Sequence, residues 1–395
     1  MIICNANITT IHRFLLDFIC LYTYYLEPYR QFVRLLKKNY PKPLDRLVCN
    51  AAVYQPANLQ DQDEKGVGRP KFTVDGFEEQ LQINHLSHFL LCSLLIDDMT
   101  KAAKQNKEGA RMIVVGSITG NDNTVGGGLV KPIADLGELE GLEQGGKSPI
   151  AMIDGKAFDG AKAYKDSKVC NMMTINELHR RYHKSTGITF STMYPGCIAE
   201  TQLFREKRDW FRKLFPLFMK YVTGGTLRMA EFVVIVLNPL MTLSTYFQLI
   251  FFCFFFVYIL LNINDNDDNI AYENFIGYVG ETEAGQRLAA VVDDPRCKTS
   301  GKYWSWNGGA RTVAYIDPKT SKLSGAGGSG GELFENLPST KVRDERKSGK
   351  MWDLSTRITG AKWPKANAII DSGFVYEDMK ATLNPKKTKD NMVNA

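Results

Sequence analysis

The sequence predicts an α/β fold organised as a doubly wound parallel sheet. Short apolar runs that read as buried strands alternate with longer amphipathic runs that read as helices, and the strands end in polar or turn-forming residues. The first strand runs from Leu44 to Val48 and passes through Cys49 into Asn50-Ala51-Ala52, a tight loop of small residues. Residues 76–99 follow as a helix, with Phe77, Leu81, Leu86, Leu90 and Leu94 recurring at helical spacing and Asn84 among them. Residues 111–115 form the next strand, with Ser117 just beyond its carboxyl end. A helix over residues 160–186 and a strand over residues 189–194 complete the alternation, and the last strand leaves through Tyr194-Pro195-Gly196-Cys197. Ligands of such sheets bind outside the carboxyl ends of the strands. Asn50, Ser117 and the Tyr194 turn therefore share one edge, close to the start of the helix that carries Tyr164.

Tyr164 and Lys168 lie four residues apart, on one helical face and one turn from each other. An ammonium there is expected to lower the phenol pKa from about 10 and make the tyrosine a proton donor. Alone the spacing says little, because 17 Tyr and 49 Lys+Arg make roughly one chance occurrence expected. Its weight comes from the order of Asn50, Asn84, Ser117, Tyr164 and Lys168 along the predicted sheet.

Those residues resemble the short-chain dehydrogenase/reductase superfamily, and longer strings narrow the resemblance. Val115-Gly116-Ser117-Ile118-Thr119-Gly120-Asn121, Ala163-Tyr164-Lys165-Asp166-Ser167-Lys168-Val169-Cys170-Asn171-Met172 and Tyr194-Pro195-Gly196-Cys197-Ile198-Ala199 are similar to the light-dependent protochlorophyllide oxidoreductases. So are Leu203-Phe204-Arg205-Glu206, Leu214-Phe215-Pro216 and Tyr303-Trp304-Ser305-Trp306-Asn307. The resemblance covers residues 28–225 and 277–364. It implies a Rossmann-like domain that uses NADPH to reduce a double bond of the tetrapyrrole protochlorophyllide, in a plastid, at a plastid membrane surface and as a homo-oligomer. It implies Tyr164 as proton donor, with Cys197 as rival or orienting group, and Lys168 on the nicotinamide ribose. Asn84 would order a water near Lys168, and Ser117 would bond Tyr164 or the substrate. Asn50 and Ala51 would line the cofactor path, Pro195 and Gly196 would flank the nicotinamide, and Phe204, Phe211 and Phe215 would lie in a lid over the pigment.

Two departures accompany the match. The family's first strand and Gly-rich turn, which cradle the cofactor pyrophosphate, are expected well before Asn50, yet residues 1–26 contain no Gly. Residues 1–28 therefore read as unrelated sequence, and the Val48 strand is expected to lack a neighbour. The second departure is residues 226–276, which separate Thr223-Gly224-Gly225 from Gly277-Tyr278-Val279. They include a stretch, 232–264, without Asp, Glu, Lys or Arg. About 20 apolar residues span a bilayer, so this insertion reads either as a membrane-spanning helix or as a translated intron. Residues 365–395 form a C-terminal tail.

Composition narrows the classes further. A net charge of +6 without interleaved basic and aromatic residues gives no support to nucleic-acid binding. The eight cysteines contain no C-x-x-C and no secreted framework. Cys49, Cys92 and Cys170 stand in apolar contexts as buried small residues. His179 and His183 are one helical turn apart but lack a third ligand, so they read as a polar helix face rather than a metal site. Gly126-Gly127-Gly128 and residues 325–331 read as flexible loops. Two other functions fit less of the sequence: a dark NADP-dependent reductase of another apolar substrate, and a non-catalytic pigment-binding product.

Overall fold

The computed structural model describes residues 2–4, 25–55, 68–122, 124–198, 203, 279–308, 313–316, 323–325 and 328–365. The lid positions Phe204, Phe211 and Phe215, the apolar residues 226–276 and most of the C-terminal tail lie outside these. Among the described residues, no helix is long and apolar enough to cross a membrane.

A six-stranded sheet organises the chain, in the order β1 (Ile2–Cys4), β2 (Arg46–Cys49), β3 (Ala110–Val115), β4 (Ile188–Met193), β5 (Lys302–Gly308) and β8 (Gly328–Glu335). The four central strands are parallel, and β1 and β8 pair antiparallel at the two edges. A separate two-stranded ribbon joins β6 (Val313–Ile316) to β7 (Leu323–Gly325). Every residue of β2, β3 and β4 is buried, as expected of parallel strands covered on both faces.

One face packs against α1 (Glu27–Asn39), α2 (Glu79–Gln105), α3 (Gly160–Thr186) and α5 (Glu345–Thr359) in the larger hydrophobic core. Helix α2 is composite, with Glu79–Leu81, a π-helical stretch Gln82–Leu86 and Ser87–Gln105 in succession. It runs past the expected end at residue 99, because Met99 and Ala102 are both buried in that core. The other face packs against α4 (Glu281–Asp293) through Val48, Ile113, Val115, Met193, Val291 and Trp304. Arg111, 1% exposed within β3, donates to the carbonyls of Val291 and Asp294 at 2.9 Å. It thereby satisfies orphan carbonyls at the end of α4 and ties that helix to the sheet.

Three expectations need correction. The Val48 strand has a neighbour: Ile2 pairs with Val48 and Cys4 with Arg46, so residues 1–28 contribute both β1 and the start of α1. An unpaired edge strand exposes a row of amide groups, and β1 takes up that row. The glycines 126–128 are a packed π turn, Val125–Leu129, in which a Cβ on Gly127 would sit 2.1 Å from the Asn121 carbonyl oxygen. Lys165 donates to the carbonyls of Gly126 and Val130 and fastens that turn to α3. Residues 328–331 belong to β8, not to a loop.

The histidine pair is a tether. His179 and His183 stack at 5.2 Å, and their Nδ1 atoms bond Ser300 Oγ and the Ile188 carbonyl. Gly301 lies against His179 so closely that a Cβ would be 2.7 Å from the ring. Cys49, Cys92 and Cys170 are fully buried, as the apolar contexts required.

Candidate active site

The carboxyl ends of β2, β3 and β4 deliver three turns to one edge, and the first turns of α3 rise beside them. Asn50 emerges exposed from β2 and Ala51 is half-buried. Beyond them, residues 51–55 are held down by amide side chains of α2. The Val53 N–H donates to Asn84 Oδ1 at 2.8 Å, and Asn84 Nδ2 donates to the Val53 carbonyl at 3.0 Å and to Ser167 Oγ at 3.1 Å. The Gln55 N–H donates to Gln80 Oε1 at 3.0 Å, and the Gln55 amide donates to Glu79. Gln80 and Asn84, four apart, hold the loop from one side. Asn84 is fully buried and its bonds go to Val53 and Ser167, so it ties the loop to α3.

Ser117 caps a short 3₁₀ turn, Ile118–Gly120, accepting from the Thr119 N–H at 3.2 Å. That turn lies directly on α3, since a Cβ on Gly120 would be 3.2 Å from the Val169 backbone nitrogen. Ser117, whose hydroxyl also bonds Thr119 Oγ1 at 2.8 Å, consequently stands near enough to the Tyr164 hydroxyl to favour its ionised form. Asp159 caps α3 by accepting from the Lys162 N–H at 2.9 Å, which fixes where the helix starts and so where Tyr164 stands. Lys168, 2% exposed, donates to the Val115 carbonyl at 3.2 Å, with its Nζ 5.6 Å from the centroid of the Tyr164 ring.

The β4 turn closes the far side. The Tyr194 N–H donates to the Trp304 carbonyl at 3.0 Å, and the Cys197 carbonyl accepts from the Val279 N–H at 3.0 Å. Gly196 has φ +120°, a left-handed conformation that favours glycine. Cys197 is a free cysteine, half-buried as a whole residue.

Burial dominates the electrostatics. It pushes the Tyr164 phenol well above its usual range, and Ser117 opposes it only in part. It raises Tyr54 and Cys197 to about 12 each, and Tyr194 well above 10. It lowers the Lys168 ammonium to about 8. The expected lowering of the phenol by Lys168 is thus reversed, because both groups lose water together and desolvation disfavours each charged form. Four hydroxyl and thiol groups held protonated and one weakened cation leave an edge of low charge that suits a large apolar substrate.

Tyr164, Lys168, Ser117 and the Tyr194-Pro195-Gly196-Cys197 turn therefore meet, with Asn84 one step behind. Tyr54 escaped the sequence reading, although its ring stands 4.8 Å from that of Tyr164. Its only sequence signal is the Gln80–Asn84 spacing that latches its loop. Tyr303, buried in register with Thr192 of β4, was also missed as a candidate; its hydroxyl has no hydrogen-bond partner among the described residues. Among the described residues, no cluster of His, Cys, Asp or Glu could hold a metal.

For a dinucleotide the fit is divided. Lys168 uses one of its three donors on Val115, and the others are available for a ribose. The pyrophosphate end is different. Because β1 is antiparallel, its carboxyl end lies at the edge opposite Asn50, and no described residues place a Gly-rich turn next to Asn50.

No family model matches the sequence. The chain is 42% identical over 337 residues to protochlorophyllide reductase B, chloroplastic, of Oryza sativa subsp. japonica, covering 85% of this chain and 62% of that relative. It is 43% identical to protochlorophyllide reductase A, chloroplastic, of Arabidopsis thaliana, again over 85% of this chain and 62% of the relative. The chain thus spans about three-fifths of the length of these curated relatives. Protochlorophyllide reductase of Avena sativa is 40% identical over 338 residues, and 80% of its length is covered. On that identity and coverage, the chain belongs to the protochlorophyllide reductase family.

Proposed function

We propose that the edge formed by Asn50, Ser117, Tyr164 and the Cys197 turn serves the light-dependent, NADPH-linked reduction of protochlorophyllide, in a plastid. The observation that carries this reading is the buried Tyr164 phenol, near Ser117, beside the Lys168 ammonium and facing an aromatic and thiol-lined edge. Bound NADPH would supply the hydride, and light absorbed by the pigment would make its double bond able to accept it.

The chain's own residues would do the remainder. Tyr54, Tyr164 and Tyr194 would pack a flat pigment and exclude water from the reacting carbons. Tyr164 would keep its proton at all ordinary pH and release it only to a strongly basic carbon. Ser117 would orient that proton, Lys168 would meet the ribose, and Pro195 and Gly196 would flank the nicotinamide. The Cys197 thiol is the second proton source within the same turn. A second reading, pigment binding without turnover, is favoured by the antiparallel β1 and the divided dinucleotide fit.

The deciding experiment uses a chimera in which the family's first strand and Gly-rich turn precede residue 29 and residues 226–276 are removed. Illumination with NADPH is expected to consume protochlorophyllide, with one NADPH oxidised per pigment. Pigment binding without any light-dependent loss would support the second reading instead.

A further inference from the structure

Arg287 is 4% exposed, and the reaction just outlined gives it no part. It arises from α4, and it joins three stretches of chain that reach the site separately. Nη1 donates to the Pro195 carbonyl at 3.0 Å, and Nη2 donates to the carbonyls of Gly328 at 2.5 Å and Gly330 at 2.9 Å. Nη2 also pairs with Glu283 Oε1 at 2.7 Å, and the guanidinium lies 5.3 Å from the centroid of the Trp306 ring. Glu283 in turn accepts from Ser329 Oγ at 2.6 Å and the Gly330 N–H at 2.7 Å, so the β8 side of the clamp is held twice.

The contact with the β4 turn is close enough to dictate sequence there. A Cβ on Gly196 would stand 2.4 Å from Val279 Cγ2 and 3.0 Å from Arg287 Nη1. The same Val279 donates its N–H to the Cys197 carbonyl at 3.0 Å. Residues 195, 196 and 197 are thus each fixed from the α4 side, by the guanidinium, by shape and by a backbone bond. A planar fork with five donors in fixed directions holds these carbonyls in a set geometry that the three rotatable donors of an ammonium do not reproduce.

We infer that Arg287 is the positioning residue for the Cys197 thiol: clamped between the Pro195 carbonyl and the Gly328 and Gly330 carbonyls, it sets the turn that presents the thiol to the Tyr164 edge. The significance of that thiol rests on the function proposed above, but the test does not require turnover. Site-resolved alkylation by iodoacetamide is followed in the full chain against pH, with the fully buried Cys170 as internal reference. In the unsubstituted chain Cys197 should react slowly, at a rate still climbing at pH 9, because burial holds the thiol near 12. In Arg287→Lys the turn loosens and the thiol meets water. Its alkylation at pH 8 should rise about tenfold or more, its pH profile moving toward that of an ordinary thiol near 8.5, while Cys170 stays protected. Arg287→Met should act in the same direction. Unchanged Cys197 alkylation in both variants overturns the inference. So does a parallel rise of Cys170 in Arg287→Lys, which would make Arg287 a prop of the whole fold. Loss of photoreduction in the chimera with this alkylation pattern intact would count against the proposed function alone.

Discussion

Lys168 carries the sharpest consequence at the scale of single residues. Burial lowers its ammonium to about 8, whereas an unfolded chain would keep the proton until about pH 10.4. The depressed pKa means that burial of the cation opposes folding below pH 8, and this penalty relaxes as pH rises from about 8 to about 10.4. Binding that needs the cation runs the other way, being strong below pH 8 and lost above it. In the chimera, NADPH affinity is therefore expected to fall by about tenfold per pH unit above 8, a fall that Lys168→Met abolishes. Titrations from pH 6.5 to 9.5 check this, and an equal slope in Lys168→Met would place the titrating group elsewhere. At this scale the sequence was legible where chemistry is local: Tyr164 and Lys168 share a helix face, and Ser117 ends a strand. Arg287 was not legible, because it meets Pro195 only through the tertiary packing of α4 on the sheet. The direction of the Tyr164 shift was misread because spacing reports the neighbouring cation and is silent about lost water.

Among the elements, α2 does more than pack. Its π-helical stretch Gln82–Leu86 contains Asn84, and such widened turns often mark functional positions because they re-aim side chains. Here the widened turn accompanies an Asn84 side chain that holds both the N–H and the carbonyl of Val53, and so a loop whose next residue, Tyr54, packs its ring at a tilt of 60° against Tyr164. Asn84→Ala should leave both backbone groups unpaired in a buried place and cost about 1–3 kcal/mol. Denaturant midpoints would measure the loss, and hydrogen exchange at Val53 should accelerate more than exchange within β3. Uniform acceleration would show that Asn84 supports the core and not the loop. The periodic elements were readable from apolar spacing, including three of the four parallel strands and the two long helices α2 and α3. The π turns, the β8 strand and the β1 pairing were not, since glycines 126–128 and 328–331 give no periodic signal and β1 is only three residues long.

For the whole molecule, the arrangement of the sheet decides what the chain can bind. Lys168 and the Tyr194 turn are the groups proposed to meet the ribose and nicotinamide, while antiparallel β1 leaves no pyrophosphate cradle among the described residues. Pyrophosphate binding in such sheets depends on backbone N–H groups at a helix amino terminus. The 395-residue chain is accordingly expected to bind NADPH at least about 100-fold more weakly than the chimera, roughly 3 kcal/mol. Nicotinamide fluorescence titrations of the two proteins would read this, and equal affinities would mean that residues outside the described set supply the cradle. The central claim, that this edge delivers the Tyr164 proton to a photoexcited pigment, is tested most directly by flash illumination of the chimera with and without Tyr164→Phe. The account predicts that the variant still binds pigment and NADPH but forms chlorophyllide about 10²–10⁴ times more slowly. Chlorophyllide formation at the unsubstituted rate in Tyr164→Phe would contradict it.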